Sequence, residues 1–135
     1  MLNIVKLLLA FMKIPCELIV WYVLPSIRRE LARELVDKHN FSQAEVARRF
    51  GVTDAAISQY LKAKRGTSKE IENSGKYEDF RKEVEAAAVR MVNGSDIVTE
   101  TCRSCEMVKK SGMLVKVYET RTGIRAPQCV TCRIE

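Results

Sequence analysis

Residues 41–62 read FSQAEVARRFGVTDAAISQYLK, and this stretch decides the fold of the N-terminal half. It opens with Ser42, followed three residues later by Glu45, which is the pattern of a capping box. In that arrangement the serine hydroxyl accepts from the backbone N–H of the glutamate, and the carboxylate reaches back. The stretch therefore predicts a short helix that begins at Gln43.

Gly51 and Thr53 predict how this helix ends and how a second one begins. Glycine adopts the left-handed conformation that closes a helix, and threonine caps the helix predicted from Asp54 to about Lys62. The two helices are separated by too few residues to lie side by side, so they must cross at a steep angle. Their shared core is predicted to contain Val46, Ala47, Phe50, Val52, Ile57 and Tyr60.

Two short helices that cross around a small core are typical of the DNA-binding helix-turn-helix. Ala47 is small at the predicted crossing, and Gly51 stands at the predicted turn. A helical hairpin with no nucleic-acid role is the alternative.

The second helix of such a motif enters the major groove with the side opposite its apolar stripe. Gln59 has the donor and acceptor that match adenine, and Ala55 suits a thymine methyl group. The residues predicted to face the bases are Thr53, Asp54, Ala55, Ser58, Gln59 and Lys62.

Polar and basic side chains around the motif are predicted to contact phosphates, because such contacts set register and affinity. For Arg48 and Arg49 a solvated helix face is an equal alternative. The predicted phosphate contacts are Gln43, Arg48, Arg49, Lys62, Lys64 and Arg65.

The excess of positive charge lies in the same half of the chain. The 135 residues include 23 Lys and Arg against 17 Asp and Glu, a net charge of +6. Residues 1–70 hold 12 basic and 7 acidic side chains, whereas residues 71–135 hold 11 and 10. A basic surplus confined to one part of a chain favours a polyanionic partner, either nucleic acid or an anionic membrane, and charge alone does not choose between them. The helix-turn-helix pattern in the same half favours double-stranded DNA.

The first 24 residues contain 19 apolar side chains, but Lys6, Lys13, Pro15 and Glu17 interrupt them. A membrane span needs about 20 continuous apolar residues. We therefore expect a cytoplasmic protein with no membrane partner. Met12 is a second candidate for the translation start.

Two longer helices are predicted on either side of a polar linker at residues 67–76. Ile27, Leu31 and Leu35 mark an amphipathic helix from Ser26 to about Lys38. The second runs from about Tyr77 to Val92 and serves packing or dimerisation. Its apolar stripe is Phe80, Val84, Ala87, Ala88 and Met91.

The C-terminal part has two C-x-x-C pairs, Cys102 with Cys105 and Cys129 with Cys132, separated by 23 residues. Met113–Thr120 is rich in β-formers, so we predict a β-hairpin that brings the pairs together as a four-thiolate metal site. A metal would replace the core that so short a tail lacks. A structural zinc ribbon is favoured; an iron–sulfur cluster and a metal-free thiol–disulfide switch are the alternatives. Cys16 is predicted to be an inert core residue.

Three segments carry a resemblance to a known family: PCELIV at 15–20, VLPSIR at 23–28, and the motif itself from Phe41 to Gly66. Residues 12–66 resemble the N-terminal region of archaeal XRE-type transcriptional regulators, which are related to phage repressors. The resemblance implies a DNA-binding regulator that is a homodimer or a larger oligomer. Some relatives carry a C-terminal ligand-sensing domain related to thiamine phosphate synthesis, where this chain has its cysteines.

The sequence thus predicts a mainly α protein: a helix-turn-helix domain plus a small cysteine-rich β-hairpin module. The predicted divisions are a DNA-binding domain at 1–66, a linker at 67–76, a packing or dimerisation helix at 77–94 and a metal-binding module at 95–135. No catalytic constellation is visible, so we expect a sequence-specific regulator rather than an enzyme. A protein-interaction or assembly factor that uses a zinc ribbon, and a redox enzyme that uses its C-x-x-C pairs, are the rivals.

Overall fold

The computed structural model describes residues 15–63, 66 and 69–126. Helices account for all of the regular structure in these ranges, so the mainly α class is confirmed there. In chain order the elements are α1 (Pro15–Leu18), a π-helical segment (Ile19–Val23), α2 (Leu24–His39), α3 (Gln43–Phe50), α4 (Asp54–Leu61), α5 (Lys69–Glu72), α6 (Tyr77–Val92), α7 (Ile97–Lys110) and α8 (Met113–Thr122).

Helix α2 lies at the centre and packs against α3, α4, α6 and α7. Its predicted stripe of Ile27, Leu31 and Leu35 is fully buried. The apolar stripe predicted for α6 is buried as well, and both stripes belong to one continuous core that also includes residues of α7 and α8. The helix-turn-helix and the C-terminal helices therefore share a core.

An ion-pair cluster fastens α6 to α2. Glu30 and Glu34 of α2 are buried, and Arg81 of α6 donates to both carboxylates, with 2.9 Å from Nη2 to Oε2 of Glu34. Burial alone would raise the pKa of Glu34, but hydrogen bonds and charges from Lys38 and Arg81 outweigh it and lower the pKa. Pairing of this kind is what permits buried carboxylates.

The predicted β-hairpin is wrong. The segment predicted as its strand is the helix α8, and its buried residues are Met113, Leu114, Val117 and Tyr118. Buried residues that follow one another at one and four positions are typical of a helix. The packing of this apolar side outweighs the β-propensity of the valines and threonines.

The first cysteine pair is also placed differently from the prediction. Cys102 and Cys105 lie within the helix α7 and not beside a β-hairpin. The described part of the tail packs into the common core through α7 and α8. Residues up to Ala126 therefore have a core that does not depend on a metal.

The segment predicted as a linker contains the short helix α5, whose Ile71 is buried in the core. Within the described residues, no helix combines the length and the apolar character that crossing a membrane requires.

Candidate nucleic-acid interface

The boundaries of α3 and α4 are set by the caps that the sequence predicts. Ser42 Oγ accepts from Glu45 N at 3.1 Å, and Thr53 Oγ1 accepts from Ala56 N at 3.1 Å. Gly51 has φ of +66° and closes α3, and the next N–H, of Val52, donates to Ala47 O at 3.0 Å. Local hydrogen bonds therefore fix the turn between the two helices.

The predicted core of the two helices is confirmed. Ala47 is 2% exposed, and its small side chain leaves room for α4 to pack against α3. Val52 is partly buried and packs against the core. The buried members are Val46, Ala47, Phe50, Ile57 and Tyr60.

The opposite side of α4 is exposed at the start of the helix and partly covered in its second turn. Thr53, Asp54 and Ala55 are exposed at its start, and Ser58 and Gln59 are half-buried in its second turn. Lys62 follows the helix and is exposed. The residues predicted to face DNA bases thus lie together on one side of α4 and beyond its end.

The residues predicted to contact phosphates differ in their surroundings. Gln43, the first residue of α3, and Arg48 are exposed, and the closest carboxylate oxygen to Arg48 is that of Glu45 at 3.8 Å. Both side chains are free to approach a phosphate. Lys64 and Arg65 lie outside the described residues.

Arg49 has a different environment from Arg48. Its Nη1 donates to the backbone oxygen of Met91 at 3.0 Å, and its guanidinium lies 4.9 Å from the ring centre of Phe41. The contact with Met91 holds α3 against the end of α6. A phosphate contact by Arg49 stays a prediction. The partner at Met91 is 42 residues away, so no local sequence pattern indicates this contact.

The cysteine pair of α7 lies beside the helix-turn-helix. Cys102 is exposed and Cys105 is half-buried, and both line a groove of about 350 Å³. Burial raises the pKa of the Cys105 thiol, an effect that the charge of Lys109 opposes. The other lining residues are Leu24, Arg28, Phe50, Ile97, Val98 and Thr101.

The remaining cysteines cannot be placed with this pair. Cys129 and Cys132 lie outside the described residues, as does the side chain of Cys16. In residues 15–63, 66 and 69–126, no three His, Cys, Asp or Glu side chains are grouped to hold a metal ion.

Comparison with protein families gives one match. A family model described as helix-turn-helix matches residues 31–71, which run from the middle of α2 through α3 and α4 to Ile71 in α5. The match supports an XRE-type domain and a DNA-binding regulator. No match is found among curated proteins or among solved structures.

Proposed function

We propose that this chain is a transcriptional regulator that reads specific sequences in double-stranded DNA through α4. The observation that carries the proposal is the two-sided character of this helix. Ala56, Ile57 and Tyr60 are buried against the rest of the domain, while the start of the opposite side is exposed. An anchored helix with a solvent-facing polar side suits insertion into a major groove.

Gln59 is the proposed reader of an adenine. Its amide carries one acceptor and two donors, which match N6 and N7 of that base. It is half-buried, and it follows the buried Ile57 by two residues, which places the two side chains about 160° apart around the helix. Ala55 is exposed one turn earlier, where its methyl group suits a thymine methyl.

Affinity and register are proposed to come from residues around α4. Gln43 lies at the N-terminus of α3, where backbone N–H groups also favour a phosphate. Arg48 and Lys62 add positive charge, and Lys64 and Arg65 are proposed to do the same. Binding should therefore weaken steeply as salt concentration rises.

We propose a homodimer as the functional unit, because one helix-turn-helix presents only a few side chains to the bases. A symmetric pair would read two half-sites about one helical turn, roughly 34 Å, apart. Selected DNA sequences should then be palindromic.

We further propose that Cys102, Cys105, Cys129 and Cys132 hold one metal ion, with zinc favoured and an iron–sulfur cluster as the alternative. The support is the placement of the first pair: residues three apart in a helix are neighbours on one face, so both sulfurs reach one ion. Because α7 and α8 already pack into the core, this metal would add to the tail rather than fold it.

Anaerobic purification without chelator, followed by a visible spectrum and elemental analysis, tests the metal site. We expect colourless protein with about one zinc per chain. Substituting Cys129→Ser and Cys132→Ser should remove most of it. Brown protein with iron and sulfide would establish the cluster instead, and metal-free protein would rule out both.

The base-reading role of α4 is tested with two glutamine substitutions. DNA is selected from a random library, and binding of Gln59→Ala and Gln43→Ala is measured on selected and random sequences. Gln59→Ala should weaken binding to the selected sequence by about 1 to 3 kcal/mol and leave random binding nearly unchanged. Gln43→Ala, the matched control, should weaken both to a similar extent.

Equal weakening of both DNAs by Gln59→Ala would contradict the base contact. Failure to enrich any sequence, together with a weak salt dependence, would contradict the regulator and favour the protein-interaction factor.

A further inference from the structure

The thiols of Cys102 and Cys105 face the same side of α7. They are three residues apart in the interior of a 14-residue helix. Helix geometry separates their α carbons by about 5 Å. That separation lies within the range of about 4.4 to 6.8 Å found across disulfide bonds. The pair can therefore form a disulfide without moving to another element.

The groove that these thiols line is shared with the DNA-binding motif. Phe50, the last residue of α3, lies on its wall and is also part of the helix-turn-helix core. Leu24 and Arg28 contribute from α2. A change in α7 at the cysteine pair thus takes place directly beside the helix that supports α4.

A second cavity connects α7 to α3. It lies at the start of α7 and is lined by Arg48 and Arg49 of α3 and by Asp96 and Ile97. Asp96 is the N-cap of α7, and Thr99 N donates to its Oδ1 at 2.8 Å. The first turn of α7 therefore faces α3 across this cavity, and the turn with the cysteine pair faces Phe50 of α3 across the groove.

We propose that, in the metal-free chain, Cys102 and Cys105 form a redox-sensitive dithiol that small disulfides oxidise, and that the resulting intrahelical disulfide lowers the affinity of the neighbouring helix-turn-helix for DNA. This inference rests on the proposed function.

The reaction is an ordinary thiol–disulfide exchange. The exposed Cys102, as thiolate, attacks one sulfur of a small disulfide, and the other half leaves as a thiolate that takes up a proton. Cys105 then loses its proton and attacks the sulfur of Cys102, which releases the second small thiol. Two protein thiols are oxidised and one small disulfide is reduced to two thiols.

Coupling to DNA binding follows from a mismatch in distance. The β carbons of residues three apart in a helix are about 5 to 6 Å apart. A disulfide needs them about 3.5 to 4.5 Å apart. The turn that contains Cys102 and Cys105 must therefore tighten, and this displaces its side of the groove relative to Phe50.

The test compares reduced and oxidised protein on the selected DNA. Protein in EDTA is oxidised with oxidised glutathione, and part of the oxidised protein is then reduced with dithiothreitol. The variant Cys16→Ser, Cys129→Ser, Cys132→Ser keeps only the pair, and Cys102→Ser, Cys105→Ser lacks it. Mass spectrometry with peptide mapping locates the disulfide in each protein, including the unmodified chain.

We expect a disulfide between Cys102 and Cys105 in the unmodified chain and in the pair-only variant, seen as a mass loss of two hydrogens. Their affinity for the selected DNA should fall roughly ten-fold and recover on reduction. The variant without the pair should bind equally well under both conditions. If the disulfide maps elsewhere, or forms without changing affinity, the proposal is overturned.

Hydrogen exchange separates this proposal from the function on which it rests. If even the reduced protein prefers no DNA sequence, the proposed function fails. Amide hydrogen exchange in residues 43–61 then tests whether the disulfide is coupled to the helix-turn-helix. A change there on oxidation, absent from the variant without the pair, supports the coupling, and unchanged exchange overturns it.

Discussion

Replacing Arg90 with methionine is expected to lower the free energy of unfolding by about 3 kcal/mol. Glu100 of α7 is completely buried, and Arg90 Nε lies 2.9 and 2.8 Å from its two carboxylate oxygens. Arg103, at 3.5 Å, is the other cation that the structure places beside it. Without Arg90, most of the compensation for burying this carboxylate is lost.

Two companion variants show whether the pairing causes the loss. Glu100→Met should cost less than Arg90→Met, because Arg90 remains partly exposed and keeps Glu83 at 2.7 Å. The double variant should recover most of the stability, since apolar side chains of similar volume often replace buried ion pairs without loss. Urea unfolding at neutral pH measures the free energy of unfolding of all three variants. Equal costs for the two single variants would argue against an uncompensated carboxylate.

Gly66→Ala should also destabilise the fold, by about 3 kcal/mol. The residue has φ of +75°, which strains any side chain. A β carbon there would collide with the backbone oxygen of Pro25 and lie 2.6 Å from Cβ of Arg29. Because both atoms belong to the well-packed α2, either the loop or the helix must shift.

Gly75→Ala is the matched control for this substitution. Gly75 has nearly the same φ, +77°, but a β carbon added there would meet nothing within 4 Å. Backbone strain alone should therefore cost about 1 to 2 kcal/mol at this position. The difference between the two alanine variants in thermal or urea unfolding measures the close approach to α2. Equal losses would mean that the approach contributes nothing.

Features governed by neighbouring residues can be predicted from the sequence. The caps at Ser42 and Thr53, the turn at Gly51 and the buried stripes of α2 and α6 are all evident from spacing. Each depends on hydrogen bonds within a few residues or on the helical period. The composition of the helix-turn-helix core follows from the same patterns.

Features that depend on distant partners cannot be predicted in this way. The sequence suggests strands for α8 because valine and threonine favour them, although the buried spacing is helical. The hydrogen bond from Arg49 to the backbone oxygen of Met91 is not predictable from the local pattern, because the two residues are far apart in the chain. Neither the burial of Glu100 nor the close approach of Gly66 to α2 has a local signal.

By itself the sequence determined that residues 41–62 form two capped helices around a small core, with a polar side that is not part of this core. Short-range hydrogen bonds and helical periodicity suffice for this. Only the tertiary structure decided that α7 carries Cys102 and Cys105 into the groove beside Phe50. That placement comes from the packing of α7 on α2 and α6, and packing between elements far apart in the chain has no imprint in the local pattern.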